Sequence, residues 1–252
     1  MLRVENLTVC YGERTAVREV SFRLEEGQWL MLAGPNGAGK SSLLRALSLN
    51  IPSRGQLLAD GRDLRKIRPV ERARLMAVLA QRNSAAYAYT VEELVRLGRY
   101  AHRAFLGRGN RTEDEEKVAQ ALAATGMEVY RRESLLNLSG GELQRAFLAQ
   151  VLAQDPRLLL LDEPANHLDL AYQRQVLDLV AAWVREKPGR GVIAAVHDLS
   201  LARRYGTHAL LLDGGVCSAW GPVETTLSPE RLEAVWKMDV AGWMHTLAQP
   251  WG

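Results

Sequence analysis

Residues 34–41 read Gly-Pro-Asn-Gly-Ala-Gly-Lys-Ser. The run before them, Trp-Leu-Met-Leu-Ala at 29–33, is apolar without helical periodicity and is typical of a buried parallel strand. The leucines that follow within residues 42–47 are spaced as in a helix buried on one side. A strand, a glycine-rich loop and a helix in this order predict an α/β fold.

The loop has the composition of a phosphate-binding site. Gly34, Gly37 and Gly39 allow backbone torsions that side chains disfavour, so consecutive N–H groups can turn towards phosphate oxygens. The helix N-terminus adds partial positive charge. Lys40 is placed to reach the β- and γ-phosphates of a nucleotide, and the Ser41 hydroxyl is a candidate Mg²⁺ ligand. The alternative is a glycine-rich turn followed by Lys-Ser through coincidence.

Composition sets the outer bounds. The chain has 252 residues, 47% of them apolar and 24% charged, as in an ordinary globular protein with one domain and a sizeable insertion. A net charge of +3 with dispersed lysines and arginines does not indicate a nucleic-acid partner. The sequence lacks a run of about eighteen uncharged apolar residues and an apolar secretion signal, so we expect the cytosol. Two cysteines form no disulfide framework, and the histidines have no metal-site spacing.

Strand and helix patterns divide the chain into three parts. Residues 3–9 alternate as in a half-exposed strand, with 17–24 as an antiparallel partner, and 76–80 is another apolar run of strand length. From Thr90 to Gln154 the pattern is helical, and Thr112 with Glu115 predicts a capping box. Strand signals return, alternating with helices, which predicts parallel strands joined by right-handed crossovers. These signals cover residues 157–161, 191–196 and 209–212, with a helix over 170–186.

A second chemical cluster ends one of these strands. Four leucines at 158–161 lead into Asp162 and Glu163, and ligands of open α/β sheets collect at the carboxyl ends of strands. We expect Asp162 to hold Mg²⁺, through a water, and Glu163 to orient or deprotonate an attacking water. The alternative is a pair of solvated acids after a strand.

A third motif carries a resemblance to a known family. Leu138-Ser139-Gly140-Gly141-Glu142, followed by Gln144-Arg145, precedes the Asp-Glu strand. Alone, the pentapeptide could be a helix N-cap. Together with the other motifs, residues 2–225 resemble the ATPase subunit of an ATP-binding cassette (ABC) transporter. This resemblance implies a P-loop NTPase core with a mostly parallel sheet, an N-terminal antiparallel β region and an inserted α-helical subdomain. It implies one domain over 1–252, with the core at 1–84 and 155–252 and the helical subdomain at 85–154.

The resemblance also implies roles for individual residues, with ATP and Mg²⁺ as cofactors. The implied catalytic residues are Glu163, His197, Gln81 and Lys40, and the implied Mg²⁺ ligands are Ser41, Gln81 and Asp162. ATP would be bound by Tyr11, stacked on adenine, and by Gly34, Pro35, Asn36, Gly37, Ala38, Gly39, Lys40, Ser41 and Ser42. Asp169 would lie at a subunit interface; Asn166 and His167 replace the more frequent Ser-Ala before it, as a variant of that loop.

The implied partners follow from the same resemblance. Two copies would pair so that ATP on one chain is covered by Ser139, Gly140, Gly141 and Glu142 of the other. Residues 89–100 resemble the matching stretch in importers for iron-siderophores, heme and vitamin B12. We therefore expect membrane permease subunits as partners, a substrate-binding protein indirectly, and a peripheral location on the cytoplasmic face of the inner membrane. The solute, and the direction of transport, cannot be read from the motifs.

Other interpretations stay open. A soluble ABC protein of translation or DNA repair would resemble tandem cassettes or carry long coiled coils, and an ABC transporter for another solute would share the same motifs. A metabolic P-loop kinase would leave residues 138–142 unexplained. The tail from 226 predicts a short helix that packs its tryptophans on the core. The basic residues between Arg62 and Arg74 predict a solvated helix face, with contact to a partner or an anionic lipid as the alternative.

Overall fold

The computed structural model of the chain describes residues 1–81, 87–102, 111–166 and 168–249, with the backbone alone for Ala248. The chain forms two compact units, Met1–Arg65 with Val192–Gly252, and Lys66–Gly191. In chain order the elements are β1 (Leu2–Tyr11), β2 (Arg14–Leu24), β3 (Trp29–Ala33), α1 (Lys40–Leu47), β4 (Arg54–Ala59), β5 (Arg62–Asp63), α2 (Pro69–Leu75), β6 (Met76–Leu79), α3 (Val91–Leu97), α4 (Arg111–Ala124), α5 (Gly140–Ala153), β7 (Leu158–Asp162), α6 (Leu170–Glu186), β8 (Gly191–Ala195), α7 (Leu199–Tyr205), β9 (His208–Asp213), β10 (Val216–Pro222), α8 (Val223–Thr226), α9 (Pro229–Trp236) and α10 (Val240–Ala248). Short 3₁₀ helices cover Leu64–Lys66, Gly98–His102, Glu128–Tyr130 and Leu135–Asn137.

The first unit contains the predicted antiparallel region. Strands β1 and β2 pair antiparallel, with Leu2 opposite Leu24 and Val4 opposite Phe22, and the sheet continues through β4 to β5. Leu2 and Val4 of β1 are buried, and after a register shift Leu7 and Val9 are buried, so the predicted alternation holds on each side of the shift. The strand before the glycine-rich loop, β3, is buried over its whole length and pairs parallel with both β8 and β9. The predicted parallel arrangement around the loop is confirmed.

The second unit combines a parallel strand pair with helices. Strands β6 and β7 pair in parallel, with Met76 opposite Leu158 and Leu79 opposite Leu161. Helices α3, α4 and α5 enclose an apolar cluster that includes Val95, Leu122 and Ala149. Gly98 permits the close approach of the end of α3 to α5, because a Cβ at Gly98 would lie 2.2 Å from the backbone oxygen of Gln150.

Two local predictions were wrong. Thr112 lies inside α4, which begins at Arg111, and the Glu115 carboxylate accepts hydrogen bonds from Arg96 instead of capping the helix. A guanidinium that reaches over from α3 competes better for Glu115 than a backbone amide does. The tail after Thr226 forms two helices, α9 and α10, instead of one. Trp243 on α10 is exposed instead of packed on the core, and Trp251 lies outside the described residues.

Candidate functional site

The glycine-rich loop joins β3 to α1 in the first unit and is shaped by its glycines. Gly34 and Gly39 have φ of 146° and 101°. A Cβ at Gly34 would lie 2.3 Å from the Leu212 backbone oxygen, and one at Gly39 would lie 2.5 Å from that of Ala16. Only glycine fits both the torsions and the space at these two positions. The chain can therefore turn tightly enough to present its backbone N–H groups on one concave side.

Lys40 is buried within this loop and begins α1. It is 6% exposed, and its Nζ donates to the backbone oxygens of Gly34 at 2.6 Å and Pro35 at 3.1 Å. A buried ammonium needs such acceptors. Gly39 provides no side-chain cap for α1, so the helix start relies on other groups to satisfy its first N–H donors. Both features favour an anion at the loop.

Tyr11 lies against the start of α1. Its hydroxyl is 3.4 Å from the Ser42 Oγ, and the side chain is 45% exposed. The structure therefore brings Tyr11 to the glycine-rich loop, with enough exposed ring to contact a flat ligand. His197 belongs to the same unit, where it follows β8 and is exposed, and the next residue, Asp198, caps α7 through the Ser200 and Leu201 amides.

Glu163 lies in the second unit on a constrained backbone. It follows β7 with φ of 55°, an uncommon conformation for a residue with a large side chain, and is 6% exposed. Its Oε2 accepts a hydrogen bond from Gln81 Nε2 at 2.6 Å and another from Asn166 Nδ2. Strained backbone of this kind costs about 1–3 kcal/mol and persists where the surroundings fix it, commonly at functional sites. Asp162, the last residue of β7, is equally buried.

Asn166 was missed as a functional residue by sequence reasoning, which treated it as part of a variant loop. The backbone N–H of Asn166 donates to the backbone oxygen of Glu163 at 3.2 Å and closes a turn. This turn brings the Asn166 side-chain amide to the Glu163 carboxylate. His167, the other variant residue, lies outside the described residues. The Gln144 side chain of α5 donates to the backbone oxygen of Pro164 at 2.7 Å. This hydrogen bond joins the turn to the helix that begins within residues 138–142.

Ser139 is the N-cap of α5, as the simpler interpretation of residues 138–142 predicts. Its Oγ accepts from the Glu142 amide, while the Glu142 carboxylate accepts from the Ser139 amide at 2.8 Å and from its hydroxyl at 2.7 Å. A hydrogen bond from Tyr130, and those from Ser139, lower the pKa of Glu142 to about 2. Ser139 and Gly140 are exposed. The capping box holds the helix start open to solvent, where its N–H groups can meet an anion.

Asp169 also has a capping role. Its Oδ1 accepts from the Tyr172 amide at 2.9 Å at the start of α6, and the residue is exposed. Across the described residues, no group of three or more His, Cys, Asp or Glu side chains could hold a metal ion by itself. No helix in the described ranges has both the length and the apolar character needed to cross a membrane.

The predicted residues therefore fall into two sets. The first unit brings together Tyr11, the loop from Gly34 to Ser42 and, after a neighbouring strand, His197. The second unit brings Gln81 to Glu163 beside Asp162, and it carries the helix starts at Ser139 and Asp169.

Comparison with known proteins gives consistent matches. A family model described as ABC transporter matches residues 17–166. The chain is 39% identical over 236 residues to the ferric enterobactin transport ATP-binding protein FepC of Escherichia coli, covering 93% of this chain and 86% of that protein. It is 43% identical over 246 residues to the hemin import ATP-binding protein HmuV of Pseudomonas entomophila, covering 95% and 94%.

Two further similarities concern length and fold. The chain spans 55% of the length of an uncharacterized ABC transporter ATP-binding protein, YvrA of Bacillus subtilis, with 37% identity over 97% of this chain. Among solved structures, a chain of an ABC transporter in an inward-facing conformation superposes with a TM-score of 0.80 and 27% identity, covering 94% of this chain and 89% of that one.

Proposed function

This chain belongs to the ABC transporter family, and we propose that it is the ATP-hydrolysing subunit that energises a membrane importer for heme or an iron-siderophore. The named relatives FepC and HmuV serve ferric enterobactin transport and hemin import. The vitamin B12 importer that the motifs also suggested stays a prediction. The peripheral location on the cytoplasmic face of the inner membrane belongs to the same proposal.

The observation that carries the catalytic part is the environment of Glu163. A carboxylate on a strained backbone, held by two amide donors, has a fixed direction, as a group that orients an attacking water requires. Gln81 positions this carboxylate and would exchange its contact for the water or the metal ion when nucleotide binds. His197 would contact the γ-phosphate.

The glycine-rich loop would bind the triphosphate of ATP. Lys40 now donates to two carbonyl oxygens, and it would exchange these for β- and γ-phosphate oxygens, which are stronger acceptors. Backbone N–H groups between Gly34 and Ser42 would supply further donors, and Tyr11 would stack on the adenine.

The residues assigned to Mg²⁺ fit that ion. Ser41, Gln81 and Asp162 offer hydroxyl, amide and carboxylate oxygens, the hard donors that Mg²⁺ prefers. Because Mg²⁺ usually takes few protein ligands and completes its shell with phosphates and waters, the lack of a larger acidic cluster in the described residues agrees with this assignment. When bound, the ion would neutralise charge that develops on the phosphates.

A second copy of the chain is the proposed partner for the exposed helix starts. The Ser139 hydroxyl, which here donates to the Glu142 carboxylate, would turn to the γ-phosphate of ATP bound by the other copy, beside the N–H groups of Gly140 and Gly141. The Ser139 amide would keep its bond to Glu142. Asp169 would lie at the interface of the two copies. ATP would then join the copies and its hydrolysis would release them, which passes motion to the permease subunits.

Two measurements test this function. The purified chain should release phosphate from ATP with Mg²⁺ and without any small-molecule acceptor, whereas a metabolic kinase would require the acceptor. A tagged chain should co-purify, from detergent-solubilised membranes, with the integral membrane subunit encoded beside its gene. Recovery only from the soluble fraction, together with ribosomes or DNA, would favour the translation or repair alternative instead.

A further inference from the structure

A surface groove runs between α4 and α6 of the second unit, with α5 as its floor. One cavity of about 400 Å³ lies between the end of α4 and the start of α6 and includes Arg145 and Leu148 of α5. A second cavity, of about 350 Å³, continues along the same helices and includes Leu152. The two cavities share Ala124 and Leu179 in their linings, so they adjoin one another along α4 and α6. Each has the size of a small-molecule site.

Arg145 is the unusual residue of the first cavity. It is 8% exposed, and its Nε is buried with no hydrogen-bond partner in the described part of the chain. The guanidinium stacks on the Tyr172 ring, 4.2 Å from its centroid. A ring face offsets part of the charge but satisfies none of the N–H donors, and buried donors without acceptors are costly. The described residues provide no acceptor for this Nε, so the Arg145 side chain carries an unsatisfied donor.

The acids near Arg145 have other partners. Glu142 accepts from Ser139 and Tyr130, and Asp178, which also lines the cavity, pairs with Arg174 at 3.4 Å. Each therefore leaves the Arg145 Nε without an acceptor.

The second cavity is electrostatically balanced and largely apolar on its floor. Asp155 pairs with Lys117 and Lys187 at 2.9 Å and with Arg190 at 2.6 Å, while Glu186 pairs with Arg190 at 2.7 Å. The charged side chains that line the second cavity are therefore paired with one another. The walls of this cavity include Ala121, Ala182 and Trp183, whose small or apolar surfaces suit a hydrocarbon chain.

We propose that this groove binds an elongated amphiphilic anion, such as a medium-chain fatty acid, with the acid group at Arg145 and the chain along Leu148, Leu152 and Leu179. The carboxylate would form a charge-assisted hydrogen bond with the Arg145 guanidinium, which borders the first cavity. From Gln175 to Glu186, α6 provides a wall of about 16 Å at 1.5 Å per residue, which gives the chain its room. The linings of the two cavities include none of the residues proposed to bind ATP.

The test uses 11-(dansylamino)undecanoate, a fluorescent fatty acid, titrated into the full chain below its micellar concentration. Wild type should bind it saturably at one site. Ala124→Trp, which fills the junction of the two cavities from an exposed position, should weaken binding at least tenfold. Ala119→Trp, on an exposed position of the same helix that lines neither cavity, is the matched control and should bind as wild type does.

The anion requirement is tested on the wild-type protein, so it does not depend on a variant that folds. Dodecanoate should displace the probe about tenfold to a hundredfold more effectively than dodecanol, the range expected for one hydrogen bond to a charged group. Arg145→Met should lose most of that preference. Equal binding by the two tryptophan variants would overturn the groove as the site, and equal displacement by dodecanol would overturn the role of Arg145.

Discussion

Replacing two glycines of the same loop by alanine should have very different effects on stability. Gly37 and Gly39 both have positive φ, 79° and 101°, so alanine is strained at either position. A Cβ at Gly37 meets nothing within 4 Å, whereas one at Gly39 lies 2.5 Å from the Ala16 backbone oxygen and 3.2 Å from the Val17 side chain. The pair therefore separates the effect of backbone torsion from that of close packing.

The magnitudes follow from these distances. Positive φ costs alanine about 1–2 kcal/mol, and a less flexible unfolded chain returns about 0.4–1 kcal/mol, so Gly37→Ala should lower the free energy of unfolding by about 1 kcal/mol. Gly39→Ala adds an overlap with backbone atoms, which cannot rotate away, at a cost of about 1–3 kcal/mol. The total for Gly39→Ala is about 2–4 kcal/mol.

Urea unfolding of both variants and wild type, without nucleotide, measures the difference. Circular dichroism gives the midpoint and the slope, and an unchanged slope assigns the shift in midpoint to stability. Affinity for a fluorescent ATP analogue should fall more for Gly39→Ala, since the loop must distort to accept the methyl group. Equal losses of stability, or a larger loss for Gly37→Ala, would refute the argument that the Ala16 contact requires glycine.

Three other substitutions test the proposed roles of Lys40, Asn166 and Glu142. Lys40→Ala should greatly reduce ATP affinity, measured by equilibrium binding, because its ammonium would act on the bound phosphates; wild-type affinity would contradict that role. Asn166→Ala should reduce ATP turnover with little change in ATP affinity, since Glu163 loses an amide donor that orients its carboxylate; an unchanged rate would contradict the positioning role. Because the pKa of Glu142 is lowered from 4.5 to about 2, its stabilising contribution is complete above pH 4.5 and is lost as the pH falls towards 2. Glu142→Gln should remove that part of the acid dependence of the unfolding midpoint. Identical pH profiles would show that the hydrogen bonds of Glu142 do not favour its ionised form.

Sequence reasoning predicted best where one element has one strong signal. Strand β3, over Trp29–Ala33, and helix α6, over Leu170–Glu186, begin and end as predicted, because continuous apolar runs and regular helical spacing leave few alternatives. The family and the α/β fold are confirmed by the matches. Strand β4 was missed, since Arg54–Ala59 has a polar first half and is a strand through its pairing with β1.

The candidate site was predicted by residue type but not by contact. The sequence identified Glu163 and Gln81 separately, while their hydrogen bond and the contribution of Asn166 depend on the positive φ of Glu163. A three-residue spacing in a loop does not predict such a contact. The capping box predicted for Thr112 is absent because of a contact that is distant in sequence. The local pattern is present, but the Glu115 carboxylate accepts a hydrogen bond from Arg96. The roles of the site residues and the division into core and helical subdomain stay predictions.

Glu163 is the residue proposed to act on the water that hydrolyses ATP. Steady-state phosphate release by Glu163→Gln at saturating ATP and Mg²⁺ tests it most directly, with ATP affinity measured on the same preparation. Loss of a positioned base lowers a rate by about 10²–10⁴. We expect turnover to fall by at least that factor, with ATP affinity retained and ATP holding two copies together. Phosphate release close to the wild-type rate would contradict it.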